Sequence, residues 1–216
     1  MSFVVAIDGP AGTGKGTITK LIDKEMGSVN IDTGATYRCV TLYTIKNNIN
    51  PDDKEKIIAS LDDIKIDMIN ENGEQKIILN EKDVSKEIRN EEVSMKASKI
   101  SCIKEVRARM VEVQRKLAKG KDVIMEGRDI TTVVFPNANV KIYMDADENE
   151  RAKRRFLELQ AKGDAVTFEQ VLENIKARDK NDKEKEVGAL KIAEDAIYLD
   201  TTNLSIEEVK DKVKEI

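Results

Sequence analysis

The chain contains no histidine and no tryptophan among its 216 residues, only two cysteines and three prolines, and just 4% aromatic residues. Without histidine, every mechanism that needs an imidazole is excluded: serine–histidine–carboxylate triads, imidazole proton transfer and histidine-ligated metals. Cys39 and Cys102 lie far apart with no spacing that suggests a pair or a zinc cage. The expectation is two reduced, buried thiols in a cytoplasmic protein. Long apolar runs are missing too. The stretch from Phe3 to Ile7 has no basic flank and ends on Asp8, which is too short for a signal peptide or a membrane-spanning helix. Chemistry is left to carboxylate, ammonium and guanidinium groups, with or without a metal.

Charge is abundant instead. Charged residues make up 36% of the chain and apolar ones 40%, and 41 acidic against 37 basic residues leave a net charge of −4. The length fits one domain, residues 1–216, with a core of its own. A chain of that sign has no global attraction to nucleic acid or to an anionic membrane. Small molecules are the expected partners, and with no long apolar surface helix in the pattern the expected state is a monomer.

Five apolar runs read as strands: FVVAID (3–8), VNID (29–32), DVIME (122–126), VKIYM (140–144) and AIYLD (196–200). The longer ones are nearly unbroken in aliphatic residues, as strands covered on both faces are. Helical patterns separate them. Ile103, Val106, Met110, Val113 and Leu117 form one stripe toward an end near Gly120, and Ser205 with Glu208 forms a capping box. Strand and helix in alternation predict a parallel sheet between helical layers. Residues 62–92 break the alternation: Ile64, Ile66 and Met68 recur at period two, a turn is expected at Asn72-Gly73, and Ile77, Ile78 and Leu79 follow. That pattern predicts a small antiparallel β insertion on the main sheet. A second, helical outgrowth over 147–188 carries much of the basic charge.

The stretch "IDGPAGTGKGT", residues 7–17, follows the first predicted strand directly. A strand feeding a glycine-rich bend into a helix gathers backbone N–H groups around one point, and the helix dipole adds positive charge there. Gly9, Pro10, Ala11, Gly12, Thr13, Gly14, Lys15, Gly16 and Thr17 are therefore the candidate ATP-binding loop. Lys15 is placed to reach the outer phosphates, and the Thr17 hydroxyl to help hold Mg²⁺. The usual pattern puts the hydroxyl directly after the lysine; here Gly16 intervenes. Such a loop serves kinases, motors and switches alike, so it does not identify the acceptor.

A second segment, "NIDTGATYR" (30–38), sits at the end of the second strand. Together with "EGRDITTVVFP" (126–136), "VKIYMDA" (140–146), "ERAKRR" (150–155) and "DAIYLDTTNLSIEEV" (195–209), in this order and nearly end to end, the chain resembles the bacterial cytidylate kinases. The resemblance implies an α/β P-loop kinase fold: three α/β/α layers, a five-stranded parallel sheet, the β insertion as acceptor-binding lobe and a helical lid. It implies transfer of a phosphoryl group from ATP, with Mg²⁺, to CMP or dCMP. The alternatives are another small-acceptor P-loop kinase and an ATP-binding switch without transfer.

By the same resemblance, Thr33, Arg38 and Arg128 hold the acceptor phosphate. Ser98, Arg107 and Asp129 read the cytosine edge, and Arg178 and Asp182 meet ribose and phosphates. Tyr37 is a further candidate against the base. Lys15, Arg128, Arg178 and Arg155 are the candidate catalytic cations. The chemistry suits the residue types, since arginine forks onto phosphate oxygens and a carboxylate accepts from the cytosine amine. Each residue also has a plainer reading. Arg38, Arg107 and Arg128 taken singly are ordinary ion-pair formers, Tyr37 fits a core, and Ser98, Thr33 and Asp129 fit helix caps.

In the outgrowth, Arg151, Arg154 and Arg155 share one helix face, as do Arg178, Asp182 and Lys185. They are read as closing over the triphosphate, with Arg151 and Lys153 equally readable as surface residues. Asp8 is either a holder of metal-bound water or a cap for the loop. Glu126 is either a Mg²⁺ helper through water or a buried partner of Lys15. The chain departs from the family's usual pattern in three places: Thr131 for glycine, Ala189 for proline and Lys185 for a lid arginine. Thr131 is expected to add a side chain beside the base-reading pair.

Overall fold

The computed structural model describes residues 2–71, 74–161 and 163–216. Five parallel strands form the central sheet: β1 (Val4–Asp8), β2 (Val29–Asp32), β6 (Val123–Gly127), β7 (Val140–Asp145) and β8 (Ile197–Asp200), in the order β2-β6-β1-β7-β8. All five predicted runs are strands, displaced by at most one residue at either end.

The unbroken apolar runs arise because consecutive residues point to opposite, covered faces. Ala6, Ile31, Val123 and Met125 belong to one core, together with α2 (Thr33–Lys46), α3 (Lys54–Ala59), α4 (Glu91–Ile100) and α5 (Lys104–Ala118). Ile7, Ile124, Ile142 and Met144 belong to the other, closed by Ile18 and Ile22 of α1 (Lys15–Met26) and by Val209 and Val213 of α8 (Ile206–Glu215). The α5 stripe lies as predicted: Val106 and Met110 are fully buried, and Val113 packs half-buried at the rim. Ser205 and Glu208 complete the predicted capping box at α8.

The insertion is a three-stranded antiparallel sheet of β3 (Ile66–Glu71), β4 (Glu74–Leu79) and β5 (Lys82–Asp83). The predicted Asn72-Gly73 turn lies outside the described residues. A second turn escaped prediction: Asn80 and Glu81 both have positive φ, 47° and 68°, and connect β4 to β5 as a two-residue hairpin loop. Met68, Ile77, Leu79 and Val84 join the same core as β1 and β2, so the insertion shares the main domain's interior.

The second outgrowth is a hairpin of two helices, α6 (Glu148–Ala161) and α7 (Phe168–Glu184). Ala152, Leu159, Val171 and Ile175 form a small apolar cluster separate from both sheet cores. Phe156 and Phe168 meet edge-on at 6.2 Å beside it. No helix among the described residues is long and apolar enough to cross a membrane.

Candidate functional site

The glycine-rich loop lies between the end of β1 and α1. Gly9 has φ 151°, and a Cβ there would run into the carbonyl of Met144 on β7, so the close approach of loop and strand requires glycine. Gly16 has a different reason. A Cβ at that position would stand 2.7 Å from Oε1 of Glu126. A side chain at position 16 would therefore displace the Glu126 carboxylate of β6.

Lys15 is buried, and its ammonium donates to the Pro10 carbonyl at 2.6 Å and to the Thr13 hydroxyl at 3.1 Å. Of the two readings of Glu126, the contact pair with Lys15 does not form, because the ammonium turns back onto its own loop. Burial, then the nearby Arg128, lower its pKa to about 7, against the pull of Glu126 and Asp8. Burial, then Asp32, push Glu126 up to about 7, against Lys15 and Arg128.

Arg128 acts on Lys15, and Arg178 is in turn acted on by Arg128 and Arg38. Arg128, just past β6, donates through Nε to Asp182 of α7 at 2.7 Å. Lys185 reaches the other oxygen of that carboxylate at 2.6 Å. Burial opposes ionisation of Asp182, but Arg128 and Lys185 hold it well below the usual carboxylate range. Arg38 of α2 pairs with Asp32 at 2.5 Å. Arg178 has no partner at its buried Nε among the described residues, and burial followed by repulsion from Arg128 lowers its pKa to about 10. Arg128 thus adds to burial in lowering both Lys15 and Arg178, while its own pKa, opposed by burial, is raised by Asp182.

Behind these arginines, Arg107 of α5 and Asp129 form a buried ion pair. Arg107 also donates to the Ser101 carbonyl at 3.1 Å and lies over the Tyr37 ring at 5.4 Å. Tyr37 is thus a core residue and a platform for Arg107 at once. Ser98 Oγ is buried nearby in sequence on α4 without a hydrogen-bond partner among the described residues. Thr33 differs from expectation: its hydroxyl donates to the Glu126 carbonyl at 2.7 Å, so its proton is already engaged. Cys102 also departs from expectation. It is exposed, whereas Cys39 is buried.

On the other side of the loop lies a cavity of about 460 Å³. Gly12, Gly14 and Thr17 form its floor, Arg154 and Arg155 one side, and Ile18, Leu204, Ile206 and Val209 an aliphatic wall. That wall was not singled out from sequence. Its signal lies in "TTNLSI", between the last strand and a capping box. Thr201 ties this segment in place, donating to the carbonyls of Asp145 and Thr13 at 3.0 and 3.3 Å. A flat heterocycle attached to phosphates at the loop fits between such aliphatic side chains.

The three arginines of α6 do not act alike. Arg151 is buried rather than exposed: it donates to the carbonyls of Ala146 and Ala11 and pairs with Asp179 at 2.7 Å, fastening α6 to α7 and to the loop. Arg154 donates to the carbonyls of Thr201 and Thr202. Arg155 pairs with Glu91 at 2.8 Å and Glu158 at 2.9 Å.

Asp8 caps a loop, but not the phosphate loop. Its carboxylate takes hydrogen bonds from Ile130 and Thr131, so the Thr131 side chain points at Asp8 and not at the Arg107–Asp129 pair. No cluster of three acidic or thiol ligands exists among the described residues. Thr17 and Glu126 are each chemically able to donate oxygen to a Mg²⁺ carried mainly by phosphate oxygens and water, as that ion is usually bound.

A family model described as Cytidylate kinase matches residues 5–216. Among curated proteins, the chain is 53% identical over 214 residues to a cytidylate kinase of Caldicellulosiruptor bescii, covering 98% of this chain and 94% of the relative. It is 49% identical to one of Fusobacterium nucleatum, covering 96% and 94%. Among solved structures, an uncharacterized protein from Eubacterium ventriosum shares the fold, with a TM-score of 0.52 at 11% identity over 100% of this chain and 97% of that one.

Proposed function

The chain belongs to the cytidylate kinase family, and on that premise we propose that it moves the γ-phosphoryl group of ATP onto CMP or dCMP, giving ADP and CDP or dCDP. The observation that carries the reading is that Arg128 repels both Lys15 and Arg178, and Arg38 repels Arg178, so cations from separate elements are gathered in one region. Two facing phosphate groups relieve that repulsion.

The donor lies with its phosphates in the loop of Gly9 to Thr17 and its adenine against Leu204 and Ile206. Arg38, Arg128 and Arg178 hold the acceptor phosphate in line with it, and Thr33 shapes that end of the pocket. No general base is required, because the attacking phosphate oxygen is already anionic. The protein contributes alignment, charge neutralisation and exclusion of water. Thr17 and Glu126 are the residues that would hold Mg²⁺, which would add further neutralisation of the phosphates. The α6–α7 hairpin, with Arg155 and Arg178, acts as the lid, and the β insertion borders the acceptor.

Selectivity follows from the Arg107–Asp129 pair. A carboxylate beside a guanidinium presents one acceptor and one set of donors. Cytosine presents the complement, an amine next to a ring nitrogen and carbonyl, whereas uracil turns a carbonyl toward the carboxylate. Ser98 supplies an additional hydroxyl. The test is ADP formation with CMP, dCMP, UMP, AMP and GMP offered singly. CMP and dCMP are expected to be turned over well and UMP poorly. Turnover of AMP or GMP with none of CMP rejects the reading.

A further inference from the structure

Asp8 ends β1 one residue before the phosphate loop, and it is fully buried. In the parallel ladder it stands opposite Gly127, the last residue of β6. Its side chain extends past that neighbour. Oδ1 accepts from the Ile130 N–H at 2.9 Å, and Oδ2 accepts from the Thr131 N–H at 2.7 Å and the Thr131 hydroxyl at 2.6 Å. Burial pushes the Asp8 carboxyl's pKa up, and these bonds oppose that shift.

Between the two anchored points lie Arg128 and Asp129. Gly127 is fixed by the ladder and residues 130–131 by Asp8, so the guanidinium and the carboxylate are carried on a stretch held at both ends. The segment that follows, Ile130–Val134, is a single π-helical turn, a geometry that needs outside support to persist. Thr131 supplies part of it. A glycine at this position would offer only its N–H, so the threonine hydroxyl adds a third bond to Asp8.

We propose that Asp8 and Thr131 are positioning residues: they form a clamp that aims Arg128 and Asp129 at the acceptor nucleotide, although Asp8 adjoins the donor loop in sequence. This rests on the assignment of Arg128 and Asp129 to the acceptor site made above. A carboxylate that capped the phosphate loop or held a metal-bound water would act on the donor instead, and the two roles separate in the Michaelis constants.

The experiment compares Asp8→Asn, Thr131→Val, Thr131→Ser and Asp129→Asn in steady-state kinetics. Asp8→Asn keeps the size but turns an amide donor toward N–H groups. It is expected to raise KM for CMP by about tenfold or more while KM for ATP stays within about twofold, the loss expected for a charged hydrogen bond. Thr131→Val is expected to give about a threefold rise for CMP alone, and Thr131→Ser to restore the wild-type value. An equal rise for ATP and CMP in Asp8→Asn, or no rise for CMP, overturns the clamp. Asp129→Asn tests the underlying assignment separately: an unchanged KM for CMP there removes Asp129 from the acceptor site whatever Asp8 does. If Asp8→Asn does not fold, amide exchange decides between wild type and Thr131→Val. Faster exchange at Ile130 and Thr131 in the variant supports the clamp, and equal rates overturn it.

Discussion

A guanidinium nitrogen of Arg155 lies 2.8 Å from a carboxylate oxygen of Glu91, which joins the second turn of α6 to the first turn of α4 across the mouth of the site. The same guanidinium lines the cavity beside the phosphate loop. Glu91 and a bound triphosphate therefore compete for one cation, and the pair is partly solvent-exposed, so its strength is modest.

Glu91→Gln removes one of the two carboxylates that hold Arg155 and leaves Glu158 as the other. The affinity for ATP is expected to rise by about two- to fivefold, the range an exposed ion pair allows. Equilibrium titration with a fluorescent ATP analogue measures it. A weakened affinity would mean that Glu91 supports the bound position of Arg155.

Burial, then Arg128, lowers the pKa of Lys15 to about 7. A triphosphate beside it stabilises the ammonium and raises that pKa, so ATP binding is expected to take up protons at pH 8, where the terminal phosphate of ATP is already ionised. Calorimetry of Mg²⁺-free ATP binding in two buffers of different ionisation enthalpy reads the uptake directly. It is expected to fade by pH 5.5, where Lys15 is already charged in the free protein. Proton release throughout that range would contradict the assignment.

Asp182 sits between Arg128 and Lys185 with its pKa well below the ordinary carboxylate value. A depressed carboxyl pKa gives stability that is present above the unfolded value, near 4, and is lost as pH falls below it. Asp182→Asn removes the shared partner of two cations and is expected to cost on the order of 2 kcal/mol at pH 7. The difference from wild type should shrink as pH drops from 4 toward 2. Urea unfolding along that pH series checks both points.

Much of this arrangement is written locally in the chain, and some is not. Strands such as Val4–Asp8 and Val123–Gly127 are legible because both their faces are buried, which forces uninterrupted apolar residues. The phosphate loop is legible because its glycines answer local backbone needs. Partnerships between distant elements leave no such trace. Arg151 reads as a surface charge until Asp179 and the Ala11 carbonyl are brought to it. Asp8 reads as a loop cap until residues 130–131 fold over it, and the Asn80-Glu81 turn was hidden because glutamate rarely takes positive φ. The aliphatic wall of Leu204 and Ile206 was missed because two apolar residues beside a capping box fit an ordinary helix start.

The thiols offer a direct check on the packing of α2, which carries Cys39. Cys39 is buried and burial raises its pKa to about 12, whereas Cys102 is exposed. A thiol-reactive chromophore at pH 8 should label one cysteine in the native protein and the second only on unfolding. Cys102→Ser should abolish the native signal, and rapid labelling of both would contradict the placement of Cys39 in the core.

The Arg107–Asp129 pair leads to the sharpest test of selectivity, because exchanging a single acceptor oxygen for a donor reverses part of the match. With aspartate at position 129, an exocyclic amine finds an acceptor and a carbonyl meets a charge of its own sign. Asp129→Asn offers an amide that satisfies either, and it leaves Arg107 without its buried counter-ion. Turnover of CMP, as kcat/KM, is expected to fall by about a hundredfold, near the 2–3 kcal/mol of a charged hydrogen bond. UMP loses the repulsion and should fall far less, so the ratio between the two substrates narrows. Were both to fall equally, Asp129 would act by holding Arg107 and not by reading the base. Because Arg107 also rests on the Tyr37 ring and the Ser101 carbonyl, it retains two supports in the variant, and the ratio of the two substrates therefore reports on Asp129 itself.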